Sequence, residues 1–384
     1  MREVVIIEAV RTPMGRRGGV LSGVHPIDLG AGVLNEVVKR AGIESSIVDD
    51  VVFGCVDQVG EQSINVARQC LLRADFPYEV PATTVDRQCG SAQQAIHFAA
   101  NLIQAGTCDI TIGGGVESMS RVPMGANAMQ GPGAPFTPEL MSKYALTPQG
   151  ISAEEIARKW GISRQEADEF ALESQEKARR ARDEGRFERE ILPMDVKLEG
   201  LPATIKTDEG IRETSLERLA TLQPSFRPDG IHHAGNSSQI TDGAAAVLLM
   251  AREKADELGL APRARIIAQH VVGSDPVLML TGPISATPKV LKKAGLELKD
   301  IDAIEINEAF ASVVLAWKRE VQPDMSKVNI NGGAIALGHP LGATGARLMT
   351  TLLHELERTN GRYGMELMCC GGGLGTATVI ERLG

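Results

Sequence analysis

The sequence predicts a layered α/β fold made from two copies of one unit, and three observations carry that expectation. Short continuous apolar runs, "VVII" (4–7), "DITIGGG" (109–115) and "AAAVLLM" (244–250), have the length of strands buried on both faces, and they alternate with longer helical patterns. Two segments match in register: "AGIESSIVDDVVFG" (41–54) and "AGLELKDIDAIEIN" (294–307) pair Val48 with Ile301, Asp49 with Asp302 and Val51 with Ile304. A second pair follows in the same order. "CGSAQQAIHFAANLIQAGTCDITIGGG" (89–115) parallels "GATGARLMTTLLHELERTNGRYGMELMCCGGG" (342–373), each a small-residue turn, a helix, a polar turn and a strand ending in three glycines.

The texture between the copies is different. Residues 119–150 are rich in Gly, Pro and Met and lack periodicity, as expected of a long functional loop or a subdomain packed on others. A strongly charged helical pattern over 152–186, with a Ser163–Glu166 capping box, reads as a solvated helix pair. An insertion at 119–240 therefore interrupts the first copy before "TDGAAAVLLM" completes it. The expected division is 1–118 plus 241–263 for the first half, 119–240 for the insertion and 264–384 for the second half.

Composition sets the class. A chain of 384 residues exceeds the usual size of one core, and 43% hydrophobic with 23% charged residues is ordinary for a soluble globular protein. Aromatic residues make up only 3%, while Gly is abundant, which lets helix and sheet layers approach closely. A net charge of -9 without a Lys/Arg run argues against nucleic acid, and an anionic ligand needs a local basic pocket. The first residues carry neither the apolar core nor the cleavage pattern of a signal peptide, and no apolar run is long enough to span a membrane. Six cysteines are too sparse for a disulfide scaffold, so free thiols in a reducing cytoplasm are expected.

Chemistry concentrates in four segments, three of them punctuated by glycine: "DRQCGSAQQA" (86–95), "INEAFA" (306–311), "NINGGAIALGHPLGATGAR" (329–347) and "MCCGGGLGTA" (368–377). Cys89 stands where a helix begins, and the unpaired N–H groups and positive dipole of that helix end favour a thiolate. His339 is framed by glycines in "GHPLGATG", with Pro340 suited to a first helical turn. Cys369 and Cys370 end a strand pattern; adjacent residues point to opposite faces, so at most one shares a pocket with Cys89. No Cys/His grouping has zinc spacing, and "GGGLG" lacks the frame of a dinucleotide fingerprint. Two thiols and an imidazole suit acyl transfer: one thiol carries the acyl group, the imidazole deprotonates it, and the second thiol moves a proton on carbon. Asn307 could orient a water or donate to the enolate oxygen.

Taken together, these four segments resemble the thiolase family over essentially the whole chain. That resemblance implies duplicated βαβαβαββ halves stacked as a five-layered αβαβα sandwich, with an inserted loop domain over the active site. It implies that Cys89 is the acylated nucleophile, His339 activates it, and Cys369 is the acid/base thiol with Cys370 in a variable position. Asn307 would hold the water that completes one oxyanion hole with His339, and the N–H groups of Cys89 and Gly371 would form the other. Arg212, Ser238, Met279 and Phe310 match positions that contact coenzyme A or wall its pocket. The implied activity is that of a 3-ketoacyl-CoA thiolase in fatty-acid or related acyl-CoA degradation, with coenzyme A as substrate and product and neither metal nor redox cofactor. An acetoacetyl-CoA thiolase and a non-catalytic lipid-binding relative are the alternatives. A homodimer or homotetramer is implied, with a β-oxidation partner subunit left open.

The chain departs from the family pattern twice. Pro148 and Gln149 stand before Gly150, where biosynthetic members often carry a His-Met pair that shapes a small acyl pocket. His233 occupies a position usually held by a small hydroxyl residue.

Overall fold

The computed structural model describes residues 2–129 and 131–384. The first half contributes β1 (Val4–Arg11), β2 (Gly15–Arg16), α1 (Pro26–Ala41), β3 (Asp50–Gly54), α2 (Val66–Arg73), β4 (Ala82–Val85), α3 (Ser91–Gln104) and β5 (Ile110–Ser118). A long excursion follows, with α4 (Ala126–Met129), α5 (Pro138–Lys143), α6 (Gln149–Trp160), α7 (Arg164–Asp183), the hairpin β6 (Met194–Leu198) and β7 (Leu201–Ile205), and α8 (Leu216–Ala220). The chain then returns as β8 (Thr241–Ala251), which is antiparallel to both β1 and β5, and α9 (Arg252–Glu257). The second half runs β9 (Ala264–Gly273), α10 (Gly282–Ala294), β10 (Ala303–Ile306), α11 (Ala311–Val321), α12 (Ala334–Leu337), α13 (Thr344–Thr359), β11 (Tyr363–Cys370) and β12 (Leu374–Arg382).

The repeat in the sequence is a repeat in topology. The strand order is β10-β11-β12-β9-β1-β8-β5-β3-β4. In one half β3 lies parallel to β5, which is antiparallel to β8, which is antiparallel to β1. In the other, β10, β11, β12 and β9 repeat those relations in that order. The matched Ala-Gly pairs do the same local work: Gly42 (φ 69°) and Gly295 (φ 70°) end α1 and α10 in the left-handed region that glycine tolerates. One strand is missing from the second copy. Where the first half has β4 beside β3, the second has only a single bridge between Ile304 and Val328.

The halves meet along β1 and β9, through Val5–Arg265 and Ile6–Ala264. Both α3 and α13 are almost wholly buried between them: α3 packs on β5 and β3, and α13 touches β8 and β1 on one side and β11 and β10 on the other. Outer helices α1 and α2 cover the first sheet face and α10 and α11 the second, which completes the αβαβα layering. The pair α6–α7 is less solvated than its charge suggests. Ala167, Phe170, Ala171, Ala178 and Ala181 of α7 are buried, so most of its charged residues line the outer face, while Asp168 is turned inward. Arg11 ties the excursion to β1: its guanidinium, fully buried, donates bidentately to Asp208 (2.6 and 2.9 Å) and to Glu190 (2.7 Å).

Small residues allow the layers to touch. A Cβ on Gly115 would sit 1.9 Å from the Gly342 carbonyl oxygen, and one on Gly345 would sit 2.4 Å from the Gln93 nitrogen. Gly115→Ala is expected to destabilise the chain by about 3 kcal/mol, because two backbones must part in a packed core. Gly23→Ala, with open space around it, should change stability by less than about 0.5 kcal/mol. Denaturant unfolding of the two variants checks the contrast; equal stabilities would contradict it.

Candidate active site

Cys89 lies in the turn between β4 and α3, and the turn is sharp. Gln88 takes a positive φ of 52°, and the Ser91 hydroxyl accepts from the Arg87 N–H (2.8 Å) while donating to the Gln88 carbonyl (2.6 Å). The thiol is 3% exposed and packs with Met119, Leu341 and Cys370. Burial pushes it up to about 11 from its ordinary 9.0, against N–H donors at Gly371, the Gln149 side chain and its own amide. The thiolate expected from the helix end is therefore not the resting form: desolvation outweighs the donors and the dipole.

His339 is held by the loop between α12 and α13. Gly338 (φ 99°) must lack a side chain, since a Cβ there would lie 2.2 Å from the Thr241 hydroxyl. That close approach lets the His339 N–H donate to both the Gln239 carbonyl (3.1 Å) and the Thr241 hydroxyl (3.0 Å). The ring is fixed as well. Its Nδ1 is 2.6 Å from the Thr344 hydroxyl, whose single proton goes to the Pro340 carbonyl at 2.8 Å. Thr344 can then only accept from the ring, so the proton sits on Nδ1 and the Nε2 lone pair faces the Asn307 amide. Burial and the neighbouring Arg347 charge push the imidazole down to about 3, so it is neutral across physiological pH.

Asn307 and Cys369 are neighbours because β10 and β11 run parallel in register, with Ile306 opposite Leu367. The Asn307 Nδ2 lies 3.4 Å from His339 Nε2 and 3.7 Å from Cys369 Sγ. Its Oδ1 is buried without a protein partner. Burial, with the nearby Cys89 adding to it, pushes the Cys369 thiol up to about 12. Cys370 points to the opposite face, as alternation requires, yet it too reaches the Cys89 turn from beneath. A Cβ on Gly90 would sit 2.6 Å from its sulfur. The two thiols thus come near the Cys89 turn from opposite faces of β11.

A cavity of about 600 Å³ leads to this cluster, and His339, Leu341 and Gln149 line it. Arg212, Ser238 and Phe310 also line it, and Phe310 stacks edge-on against Phe226 and His232. Arg212 stands exposed on an irregular stretch before α8. His233 lines the cavity as well, and its Nε2 meets Asp168 at 2.7 Å, binding the loop after α8 to α7. Met279 falls elsewhere. It lines a second, apolar cavity of about 550 Å³ with Leu140, Met141, Tyr144 and Gly372, and Pro148 forms part of both walls. Sequence reading missed Arg16 and Arg17, which join Arg212 in the first cavity and stand exposed to solvent. The basic pair in "MGRRGG" was the available signal. It also missed Thr344, whose role depends on where one hydroxyl proton points. Among the described residues no group of three or more His, Cys, Asp or Glu side chains is arranged to hold a metal ion.

Known proteins share this architecture. The family model described as "Thiolase, N-terminal domain" matches residues 4–253, and "Thiolase, C-terminal domain" matches residues 260–382. The chain is 50% identical to the steroid 3-ketoacyl-CoA thiolase FadA6 of Mycobacterium tuberculosis, over 100% of this chain and 95% of that protein. It is 45% identical to a 3-ketoacyl-CoA thiolase of Bacillus subtilis (99% and 100% covered) and 44% identical to an acetyl-CoA acetyltransferase of Syntrophomonas wolfei (100% of both). The crystal structure of the Bacillus anthracis acetyl-CoA acetyltransferase superposes with a TM-score of 0.92 at 41% identity, covering 100% of this chain and 99% of that one. A duplicated sandwich, two thiols, an imidazole and an asparagine at one point, and family matches across both halves lead to one conclusion: this chain belongs to the thiolase family.

Proposed function

We propose that the chain is a 3-ketoacyl-CoA thiolase, an acyltransferase that cleaves 3-ketoacyl-CoA with coenzyme A to acyl-CoA and acetyl-CoA. The observation that carries this reading is the convergence of Cys89, His339, Asn307 and Cys369 behind a cavity edged by Arg16, Arg17 and Arg212. The arginines suit the phosphates of coenzyme A on an otherwise acidic chain. Ser238 and Phe310 suit the pantetheine arm, and coenzyme A serves as substrate and product.

All three titrating groups rest uncharged, so the chemistry must move protons among them rather than begin from a thiolate. In the degradative direction Cys89 Sγ attacks the 3-keto carbon as its proton passes to His339 Nε2, the nitrogen that Thr344 leaves free. The oxygen of the adduct is stabilised by donors, with the N–H groups of Cys89 and Gly371 and a water on Asn307 assigned to the two oxyanion sites. The Cα–Cβ bond breaks, the acetyl-CoA enolate takes the proton of Cys369, and the acyl group remains on Cys89. Coenzyme A then gives its thiol proton to the Cys369 thiolate and attacks the acyl carbonyl. Cys89 leaves as a thiolate and recovers its proton from His339, so the enzyme returns to its starting state.

The second cavity supports an acyl group larger than acetyl. Its apolar walls begin at Met279 and Gly372, next to Gly371, and the relative named a steroid 3-ketoacyl-CoA thiolase shares half of this chain's residues. We assign the acyl chain or ring system to it. Residues 119–240 are read as the domain that covers the site, with 1–118 plus 241–263 and 264–384 as the two halves. A homodimer or homotetramer working in the cytoplasm, with any β-oxidation partner subunit still open, completes the proposal; among the described residues no helix is long and apolar enough to cross a membrane.

A thiolysis panel of 3-ketoacyl-CoA substrates of increasing size tests this reading. Turnover is expected to persist or rise beyond four carbons and to vanish in Cys89→Ala; activity confined to acetoacetyl-CoA, or retained without Cys89, would contradict it. With His339 pushed down to about 3 and Cys89 pushed up to about 11, the neutral pair that reacts is fully populated from pH 6 to 9, so kcat/KM is expected to stay flat there with no acid limb near 6.5; a tenfold rise per pH unit would point to a thiolate instead. Thr344→Val strips the acceptor from Nδ1 and is expected to lower kcat about tenfold with KM little changed, while Thr344→Ser keeps most activity. Equal kcat in the valine variant would remove Thr344 from the account.

A further inference from the structure

Gln149 is the first residue of α6, in the segment that covers the site, and it belongs to the pair that departs from the family pattern. Its carboxamide reaches the nucleophile. The Nε2 atom lies 3.1 Å from where a Cβ on Gly371 would stand, the side chain lines the cavity with His339 and Leu341, which packs on Cys89, and the amide offsets part of the burial that raises the Cys89 thiol. The adjoining backbone has little freedom, because a Cβ on Gly150 would fall 2.0 Å from the Phe226 ring. A half-buried amide thus stands on the wall between Gly371 and His339, at a helix start packed closely on Phe226.

We propose that Gln149 is a catalytic residue, donating an N–H to Cys89 Sγ and stabilising the negative charge that develops there as the thiol proton leaves. The inference rests on Cys89 being the nucleophile. A thiolate formed in this buried setting loses most of its hydration, so each directed donor offsets part of that cost. Two donors are backbone groups, at Gly371 and Cys89 itself; Gln149 supplies the third from a side chain. A neutral amide suits the task because it stabilises the thiolate without also fixing a permanent charge beside the departing enolate. Methionine, from the His-Met pair of biosynthetic members, has no N–H to give. Other groups facing Cys89 are Asp86, whose charge opposes ionisation, and the Cys369 and Cys370 thiols.

The test uses the full chain with Gln149→Met, Gln149→Ala and Gln149→Glu, each checked for folding by circular dichroism. The rate of Cys89 alkylation by iodoacetamide, read by peptide mass, is followed against pH beside kcat and KM for thiolysis. The methionine and alanine variants are expected to move the alkylation inflection up by about one unit and to lower kcat roughly tenfold, with KM within about twofold. The glutamate variant should move it further the same way, since a carboxylate repels the thiolate. Unchanged alkylation profiles, or an effect confined to KM, would overturn the role of Gln149. Protection of Cys89 by acetyl-CoA in the unmodified chain separates the two ideas: its absence contradicts Cys89 as nucleophile, whatever Gln149 does.

Discussion

The site depends on how closely the two copies of the repeat can approach. Gly342, in the loop that carries His339, is wedged against the ends of β3 and β5. Added Cβ atoms would meet its carbonyl oxygen at 2.6 Å from Gly54 and at 1.9 Å from Gly115. Its N–H donates to the buried Glu117 at 2.8 Å, and Glu117 also receives the N–H groups of Val56 (2.8 Å) and Asp57 (3.1 Å). One carboxylate therefore clamps a loop of the second half to two segments of the first. The same contact lets α3 and α13 share the middle layer, so that Cys89 of one copy and His339 of the other stand beside neighbouring helix ends.

Burial then sets the electrostatics. The same desolvation raises both thiols and lowers the imidazole, leaving each uncharged at rest. The helix end and the N–H donors at Cys89 do not win against it in the free protein. They act when charge appears during reaction, where a directed donor in a water-poor pocket is worth more than in solvent. This gives a reason for fixing the His339 tautomer through Thr344: a single neutral base must present its lone pair toward the cluster, and an imidazole free to flip would do so only part of the time.

Much of this was legible in the sequence, for physical reasons. Buried strands announce themselves as short apolar runs, and duplicated units keep the glycines that cap their helices, so β1, β5, β8 and the Gly42–Gly295 equivalence could be read directly. Cys89, His339 and Cys369 lie in glycine-rich motifs, where tight backbone approach is possible, while Asn307 stands in a segment without glycine. What could not be read depends on tertiary geometry. The fourth strand of the first half has no partner in the second, where Val328 makes only a bridge. Met279 looked like a wall of the main pocket but lies in the second cavity, a partition decided by how residues 136–148 fold over the sheet. The thiolate expected at Cys89 reflected the helix end alone, since the depth of burial is invisible to a linear pattern. Gln149 stood out only as a departure from the family pattern; its place on the wall between Gly371 and His339 emerged from the packing of Gly150 on Phe226.

The central claim is that the acyl group passes through Cys89. Its most direct test is intact-protein and peptide mass spectrometry after rapid mixing with a 3-ketoacyl-CoA in the absence of free coenzyme A. The account predicts one equivalent of the shortened acyl group, the substrate acyl less two carbons, on the peptide containing Cys89, and its removal when coenzyme A is added. No adduct during turnover, or an adduct on Cys369 or Cys370 instead, would contradict it.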